Sequence, residues 1–457
     1  MLVCLTANAQ HNLRTGYFLD GYIYKYKLNP ALAADRGYFA LPVVGYTSAA
    51  LETNLNMSNF LYPTEDGLLT TFLSPSISAE QVMKGLQTAN PLNLNADISV
   101  FSFGFHTKKS FNTIDISVKA DARLNIPGQL FSWMKEDASN LDLSNLGLNA
   151  DARVELAYGY SRKIGNNIRV GARVKLLAGL AKARFQMEKL NLTMTEEEWR
   201  VEASGNGYIS APVQFGDSSV ESITVMDKEQ LTSMKLSDLN LGAAVDLGVS
   251  IDVLKYITLS ASISDLGFIK WNNVNRLTSP TYQWSYDGFI GIGNEDVDIQ
   301  DQLGTMGDEL LDLTSPTVTA GNDKLTDYLS MMAHVGVELR VPFWQRLSVG
   351  ALGTARLDGI YSWYEARASV NLALFRWLSF TGNYAYSTYG ESYGGAVNFH
   401  PAGLNIFIGL DSFKPLMNLS KQYIPVDSFN TTLAVGVNFS IGKYHGRFPK
   451  KAKKSKK

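Results

Sequence analysis

Residues Thr113–Ile126, TIDISVKADARLNI, alternate without a fault. Ile114, Ile116, Val118, Ala120, Ala122, Leu124 and Ile126 share one face, and Thr113, Asp115, Ser117, Lys119, Asp121, Arg123 and Asn125 share the other. Successive side chains of a strand point to opposite sides of a sheet, so this stretch has one wholly apolar face and one face with charges of both signs. In a soluble sandwich the apolar face is the core and the charged face meets water. In a membrane barrel the apolar face meets lipid and the charged face lines a lumen.

Working outward, the same alternation predicts fourteen strands, an even number. They lie near Tyr38–Tyr46, Ile98–His106, Thr113–Ile126, Ala152–Arg162, Ile168–Phe185, Leu239–Ser250, Ile257–Ser264, His334–Val341, Leu347–Leu357, Glu365–Leu374, Leu378–Tyr386, Gly394–His400, Leu404–Leu410 and Thr431–Ile441. Their connections alternate between tight turns, such as Lys108–Ser110, Ile164–Asn167 and Pro401–Gly403, and long segments near 47–96, 127–151, 186–238, 265–330 and 411–430. Short turns at one end and long loops at the other are the pattern of an outer-membrane barrel, which a sandwich has no reason to reproduce. Trp344 and Trp377 sit in short turns, where their rings suit an interfacial belt. The chain has no run of eighteen apolar residues, which excludes a helical span, and its 22 Tyr, 22 Phe and 38 Gly suit girdled, tightly turned strands.

The ends add an address. MLVCLTANA, residues 1–9, reads as the end of a secretory signal, with Ala7-Asn8-Ala9 in small-x-small spacing before Gln10 and with no charged region ahead of it. Cys4 lies inside it, so the mature chain would have no cysteine for thiol catalysis, metal ligation or disulfides. At the other end Lys443, Arg447, Lys450, Lys451, Lys453, Lys454, Lys456 and Lys457 give eight positive charges without one acid, leaving 33 basic against 43 acidic residues in the body. Such a tail, residues 443–457, suits lipid phosphates or an acidic partner; nucleic acid is a poor candidate for a secreted chain.

The segment LNPALAADRGYFALP, with Asn29, Pro30 and Ala31 just before the first strand, resembles the element that introduces the barrel in the FadL-like superfamily of outer-membrane proteins. GYFLDGYIYKYKLNPALA, SFNTIDISV and LNLGAAVDLGVSIDVLKYITLSASISDLGFIKW more closely resemble an uncharacterised family of Bacteroidota outer-membrane barrels, a domain of unknown function. The resemblance implies an all-β, transmembrane, antiparallel barrel of about fourteen strands over residues 37–442, with a plug over 10–36 folded into the lumen and long extracellular loops. It also implies a Gram-negative outer membrane with both termini in the periplasm, but it brings no proven activity.

With the apolar faces toward lipid, the inward set includes Asp115, Lys119, Asp121, Arg123, Arg153, Glu155, Arg169, Arg173, Lys175, Glu338, Arg340, Arg356, Glu365 and Arg367. Opposite charges on neighbouring strands can pair across the ladder, whereas Arg or Lys on the lipid face at mid-depth would cost about 2–4 kcal/mol. A lumen so lined is polar and cross-linked, and the regular strands supply no apolar pocket. The 10–36 segment could supply one with Tyr17, Phe18, Leu19, Tyr22, Ile23, Tyr24 and Tyr26, while Arg14, Asp20, Lys25, Lys27, Asp35 and Arg36 pair with the wall. At Asp265, Leu266 and Gly267 the apolar phase flips from odd to even, which predicts a bulge and a candidate lateral gap toward the membrane.

Enzymatic readings find little. His11, His106, His334, His400 and His445 are scattered, with no HExxH, GxSxG or phosphate-binding glycine loop, and no cofactor is expected. Acidic residues from Glu295 to Asp327 lack the order of a calcium loop. Two functions from different classes follow: transport of a small hydrophobic or amphipathic ligand, or a non-conducting barrel that serves a protein partner in the outer membrane or periplasm.

Overall fold

A computed structural model describes residues 12–447 apart from 56, 65–68, 73, 75, 85, 134–139, 143, 195–198, 216–222, 226–238, 287–316 and 414–429. The signal-like 1–9, the acidic stretch from Glu295 to Asp312 and the tail lysines from Lys450 onward lie outside the described residues.

Period-two patterning and tight turns make hairpins, and fourteen staves follow in chain order. They are β1 (Gly37–Ala40 and Thr47–Thr53), β2 (Ala89–His106), β3 (Ser110–Pro127), β4 (Gly147–Ile164), β5 (Ile168–Met194), β6 (Asn240–Leu254) and β7 (Ile257–Tyr286). Then come β8 (Thr317–Tyr328 and Met331–Arg340), β9 (Leu347–Leu357), β10 (Trp363–Phe375), β11 (Leu378–Ser387), β12 (Gly390–Phe399), β13 (Asn405–Phe413) and β14 (Thr431–Ile441). Each pairs antiparallel with its sequence neighbours, and β1 closes the ring on β14 through Gly37↔Ile441 and Thr47↔Val435. Closure leaves no unpaired edge, which is what a hydrocarbon surrounding requires.

Thr113–Ile126 lies within β3, and its two faces separate cleanly: Asp115, Ser117, Lys119, Asp121 and Arg123 are buried, while the even-numbered residues face outward. The outer surface presents apolar side chains on every side, with Leu156, Leu176, Val335, Val370 and Ile408 exposed. Trp344 and Trp377 are exposed in their turns, and Trp377 stacks on Phe375 with ring centroids 5.0 Å apart.

Several staves depart from the expected boundaries; β2 and β4 begin earlier, at Ala89 and Gly147, and β8 gains Thr317–Tyr328. β1 is not continuous over Tyr38–Tyr46: residues 41–46 leave the ladder, with Val43 at φ 64° and its side chain exposed, because six residues here face only two of β14. β5 and β7 run well past their expected ends, and above β6 their extensions sandwich Trp199–Ser210, which pairs with both. At the long-loop end Ile77, Val82 and Phe131 are buried with Phe60, Phe72 and Leu86 packed against them, and a short helix, α1 (Ala79–Met83), begins at a Ser78–Gln81 capping box. Phe60, Tyr62 and Phe72 of the long 47–96 segment are thus packed loop core.

Candidate functional site

The lumen is occupied by the chain's own N-terminal residues. From Leu13 to Pro30 nearly every side chain is buried, in two short 3-10 turns, Arg14–Gly16 and Ile23–Lys27. Tyr22, Tyr24, Tyr26, Leu13 and Ile23 pack against Tyr38, Tyr46, Phe111 and Phe407 of the wall in one aromatic cluster. The expected apolar pocket in this segment is thus a filled core.

Polar contacts fix the segment to strands all around the ring. The main-chain N–H groups of Arg14 and Thr15 donate to the two Asp411 oxygens (2.9 and 2.6 Å). The Tyr24 hydroxyl donates to Asn438 Oδ1 (2.7 Å) and the Tyr26 hydroxyl to Asp115 Oδ1 (2.6 Å). The carbonyls of Asp20, Gly21 and Leu28 accept from Ser379 Oγ (2.7 Å), Asn405 Nδ2 (2.9 Å) and Ser262 Oγ (2.7 Å). A segment without regular structure has unpaired carbonyls, and these donors satisfy three of them where water is excluded.

The Asn29-Pro30-Ala31 element has a local reason. Asn29 Oδ1 accepts from the Ala31 N–H (2.9 Å), while its amide donates to the Tyr17 hydroxyl and to the Val249 and Ala261 carbonyls. Gly171 of β5 and Gly248 of β6 face it; a Cβ on either would collide with Pro30 or with the Asn29 amide oxygen. The turn seats on a patch of wall kept flat by glycine.

The wall charges form the ion-pair lattice that the alternation anticipated. Arg173 reaches Asp246 (3.0 Å), Asp115 (3.3 Å) and Glu155 (3.7 Å), and Lys119 reaches Glu155 (2.8 Å). Arg153 pairs with Asp121 (3.1 Å) and Asp151, and Arg123 with Asp358. Glu365 lies between Arg367 (2.9 Å) and Arg14 (3.2 Å), and Arg14 also reaches Glu52 (3.0 Å). Arg340 meets Asp252 (3.5 Å) and Glu338 (3.9 Å) at the rim. Arg169 differs: it makes no ion pair among the described residues and donates only to Ser161 Oγ (3.4 Å).

Several partners escaped the reading of the sequence. Asp97, which binds Lys27 (3.0 Å), and Asp246 lie on regular alternating strands and were legible by the same period. Glu52 lies on Thr47–Thr53, a stretch whose pattern reads as part of the long 47–96 loop. Of the N-terminal residues, Asp20 pairs with Arg447 (3.6 Å) and Arg36 donates to the Gly442 carbonyl, so the first residues of the basic tail turn back toward this segment.

At Asp265 the ladder is broken in the way the phase flip demands. Asp265 has φ 62°, and the β6–β7 register shifts between Val245 and Leu247. Its N–H donates to Asp246 Oδ1 (2.8 Å), its carboxylate takes Lys175 Nζ (2.6 Å), and the Gly267 carbonyl accepts from the Leu329 N–H (3.0 Å). Leu266 points outward, half exposed. Beyond the bulge the inward phase becomes apolar: Ile269, Trp271 and Val274 join Leu177, Ala244 and Leu329, with Leu325 and Tyr208 against them. The Trp271 indole N–H has no partner among the described residues. Sequence reasoning missed this inward apolar cluster, since its members come from four staves and a loop strand and share a face only because of the bulge.

His106, His334 and His400 are hydrogen-bonded within the barrel. His400 Nε2 lies 2.8 Å from Ser379 Oγ, but that hydroxyl donates to the Asp20 carbonyl, so the imidazole serves as donor to it rather than as its base. His334 bonds Thr354 Oγ1 (3.1 Å) and His106 the Ala34 carbonyl (2.8 Å). No cluster of three metal-ligating side chains occurs among the described residues.

Residues 30–411 match a family model described as a family of unknown function, DUF5723. No curated relative matches the chain. Among solved structures, the chain is similar to the toluene transporter TbuX of Ralstonia pickettii, at 9% identity over 93% of this chain and 95% of that one, TM-score 0.46. It is also similar to a FadL homologue of Pseudomonas aeruginosa, at 13% identity over 95% and 97%, TM-score 0.41. The translocator domain of autotransporter NalP from Neisseria meningitidis aligns at 7% identity over 90% of each chain, TM-score 0.33.

Proposed function

The chain belongs to the DUF5723 family, whose description carries no activity; starting from the barrel itself, we propose that it is an outer-membrane barrel that moves a small hydrophobic or amphipathic molecule through its wall. The observation that carries this is the coincidence of the Asp265 bulge with the inward cluster around Trp271. An apolar solute needs a desolvated apolar surface inside and an exit that avoids the charged lumen, and the bulge sets the two side by side. The lumen below offers no such path, because it is filled by residues 12–30 and by buried ion pairs. In this reading Asp265, Leu266 and Gly267 form the lateral exit, the long loops face outward and both termini face the periplasm.

Naphthalene binding to the barrel in nanodiscs, followed by fluorescence, together with its uptake into liposomes, tests the reading. Wild type should bind saturably, and Ile269→Asn, which sets a polar group into the cluster, should weaken binding at least about fivefold, since an unpaired buried amide costs about 1–3 kcal/mol. Absence of binding and of uptake in wild type overturns transport. The closed lumen then favours the second reading, a scaffold whose loops or basic tail hold a protein partner, detectable as stoichiometric co-purification from native membranes.

A further inference from the structure

Beneath the Asn29-Pro30-Ala31 turn, at the short-turn end of the barrel, lies a polar cavity of about 340 Å³ that the transport reading does not use. Its wall contains Lys163 of β4 and Arg169 of β5, which sit directly opposite each other in register. Both have the inward phase of Arg173 and Lys175, so they face the cavity rather than the lipid rim. Like charges placed opposite on neighbouring strands destabilise a ladder unless something answers them.

The carboxylates nearby have closer partners, although Asp252 still attracts Arg169 from a distance. Asp252 accepts from Thr258 Oγ1 (2.6 Å) and lies 3.5 Å from Arg340; Glu338 is held by Arg447 and Arg340; Asp20 faces Arg447. Lys25, from the plug above, also lines the cavity, and neither it nor Lys163 makes an ion pair among the described residues. Asp35 is the one lining carboxylate without an ion pair. Three cations against one acid leave a surplus of positive charge around a space large enough for a small anion. Lys119, Arg123, Arg153, Arg173, Arg340 and Arg367, inward cations on the same wall, each have a carboxylate within 4 Å, and Arg169 has none among the described residues.

We propose that the Lys163–Arg169 pair, with Lys25, forms an oxyanion site that takes a single carboxylate or phosphate group at the short-turn mouth. Arg169 supplies a planar fork for two oxygens and Lys163 a point charge beside it. The site accepts a free anion or the acidic head of an amphiphile, since both present the same group.

Isothermal titration of the full chain in neutral detergent, with inorganic phosphate and with decanoate as separate probes, tests this. Saturable binding of phosphate alone assigns a free anion; binding of decanoate alone, or of both with decanoate tighter, assigns an amphiphile's head. Either result requires that Arg169→Gln weaken binding at least about tenfold. Lys163→Gln, at the exposed turn, is the second variant and should weaken it severalfold. In anion-free buffer both variants should melt at or above the wild-type temperature, because each removes a like-charge opposition. Failure of both probes to saturate, equal affinity in wild type and Arg169→Gln, or a lowered anion-free melting temperature in both variants overturns the proposal. A barrel that binds phosphate yet takes up no naphthalene would overturn the transport reading and leave this site standing.

Discussion

Two halves of the same lumen are built from different chemistry. The wall of β3 to β6 presents Asp115, Lys119, Arg153, Glu155, Arg173, Lys175 and Asp246, and these answer one another from strand to strand. The wall of β11 to β14 presents Ser379, Thr381, Asn383, Asn398, Asn405, Thr432 and Asn438, and Asp411 is its only buried carboxylate among the described residues. Its donors turn to the N-terminal segment: Ser379 and Asn398 to the Asp20 carbonyl, Asn405 to that of Gly21. Charges can satisfy one another within a sheet, whereas amides and hydroxyls placed on alternate positions need a partner with free backbone. The charged half therefore satisfies most of its groups within the wall, Asp115 also taking the Tyr26 hydroxyl, whereas the neutral half directs its donors to the N-terminal segment.

That difference can be broken by substitution. Arg173→Met leaves Asp115, Asp246 and Glu155 short of a buried counter-charge and should cost about 3–5 kcal/mol in a detergent unfolding titration. The loss should be nearly the same in a chain lacking residues 10–36, because the partners are wall residues. Asn405→Leu, by contrast, should cost about 1 kcal/mol in the full chain by orphaning the Gly21 carbonyl, and close to nothing once the segment is deleted. Equal losses in both backgrounds for Asn405→Leu would show that the neutral wall does not depend on the plug.

Legibility of the sequence followed the same division. Strand count, closure and the inward charges could be read because alternation over Thr113–Ile126 and its neighbours is a local property, and a one-residue slip would turn every charge into lipid. The bulge at Asp265 was legible as a change of phase. What it assembles was not, because Leu177, Ala244, Ile269, Trp271 and Leu329 are brought together by register between distant strands. The break in β1 at 41–46 was hidden for another reason: Tyr46 and Tyr38 both point inward, so the phase across the excursion is preserved and nothing in the pattern marks it. Arg169 has the same alternating phase as Arg173 and Lys175, so nothing in the local pattern marks its lack of an ion pair; that depends on which strands carry the acids around it.

The central claim is that the N-terminal segment closes the lumen, so that any cargo must leave through the wall. Conductance of planar bilayers containing the purified protein tests it most directly. The account predicts no steady current from the full chain and a large, stable one from a chain lacking residues 10–36; a large, steady open-pore current from the full chain would contradict it.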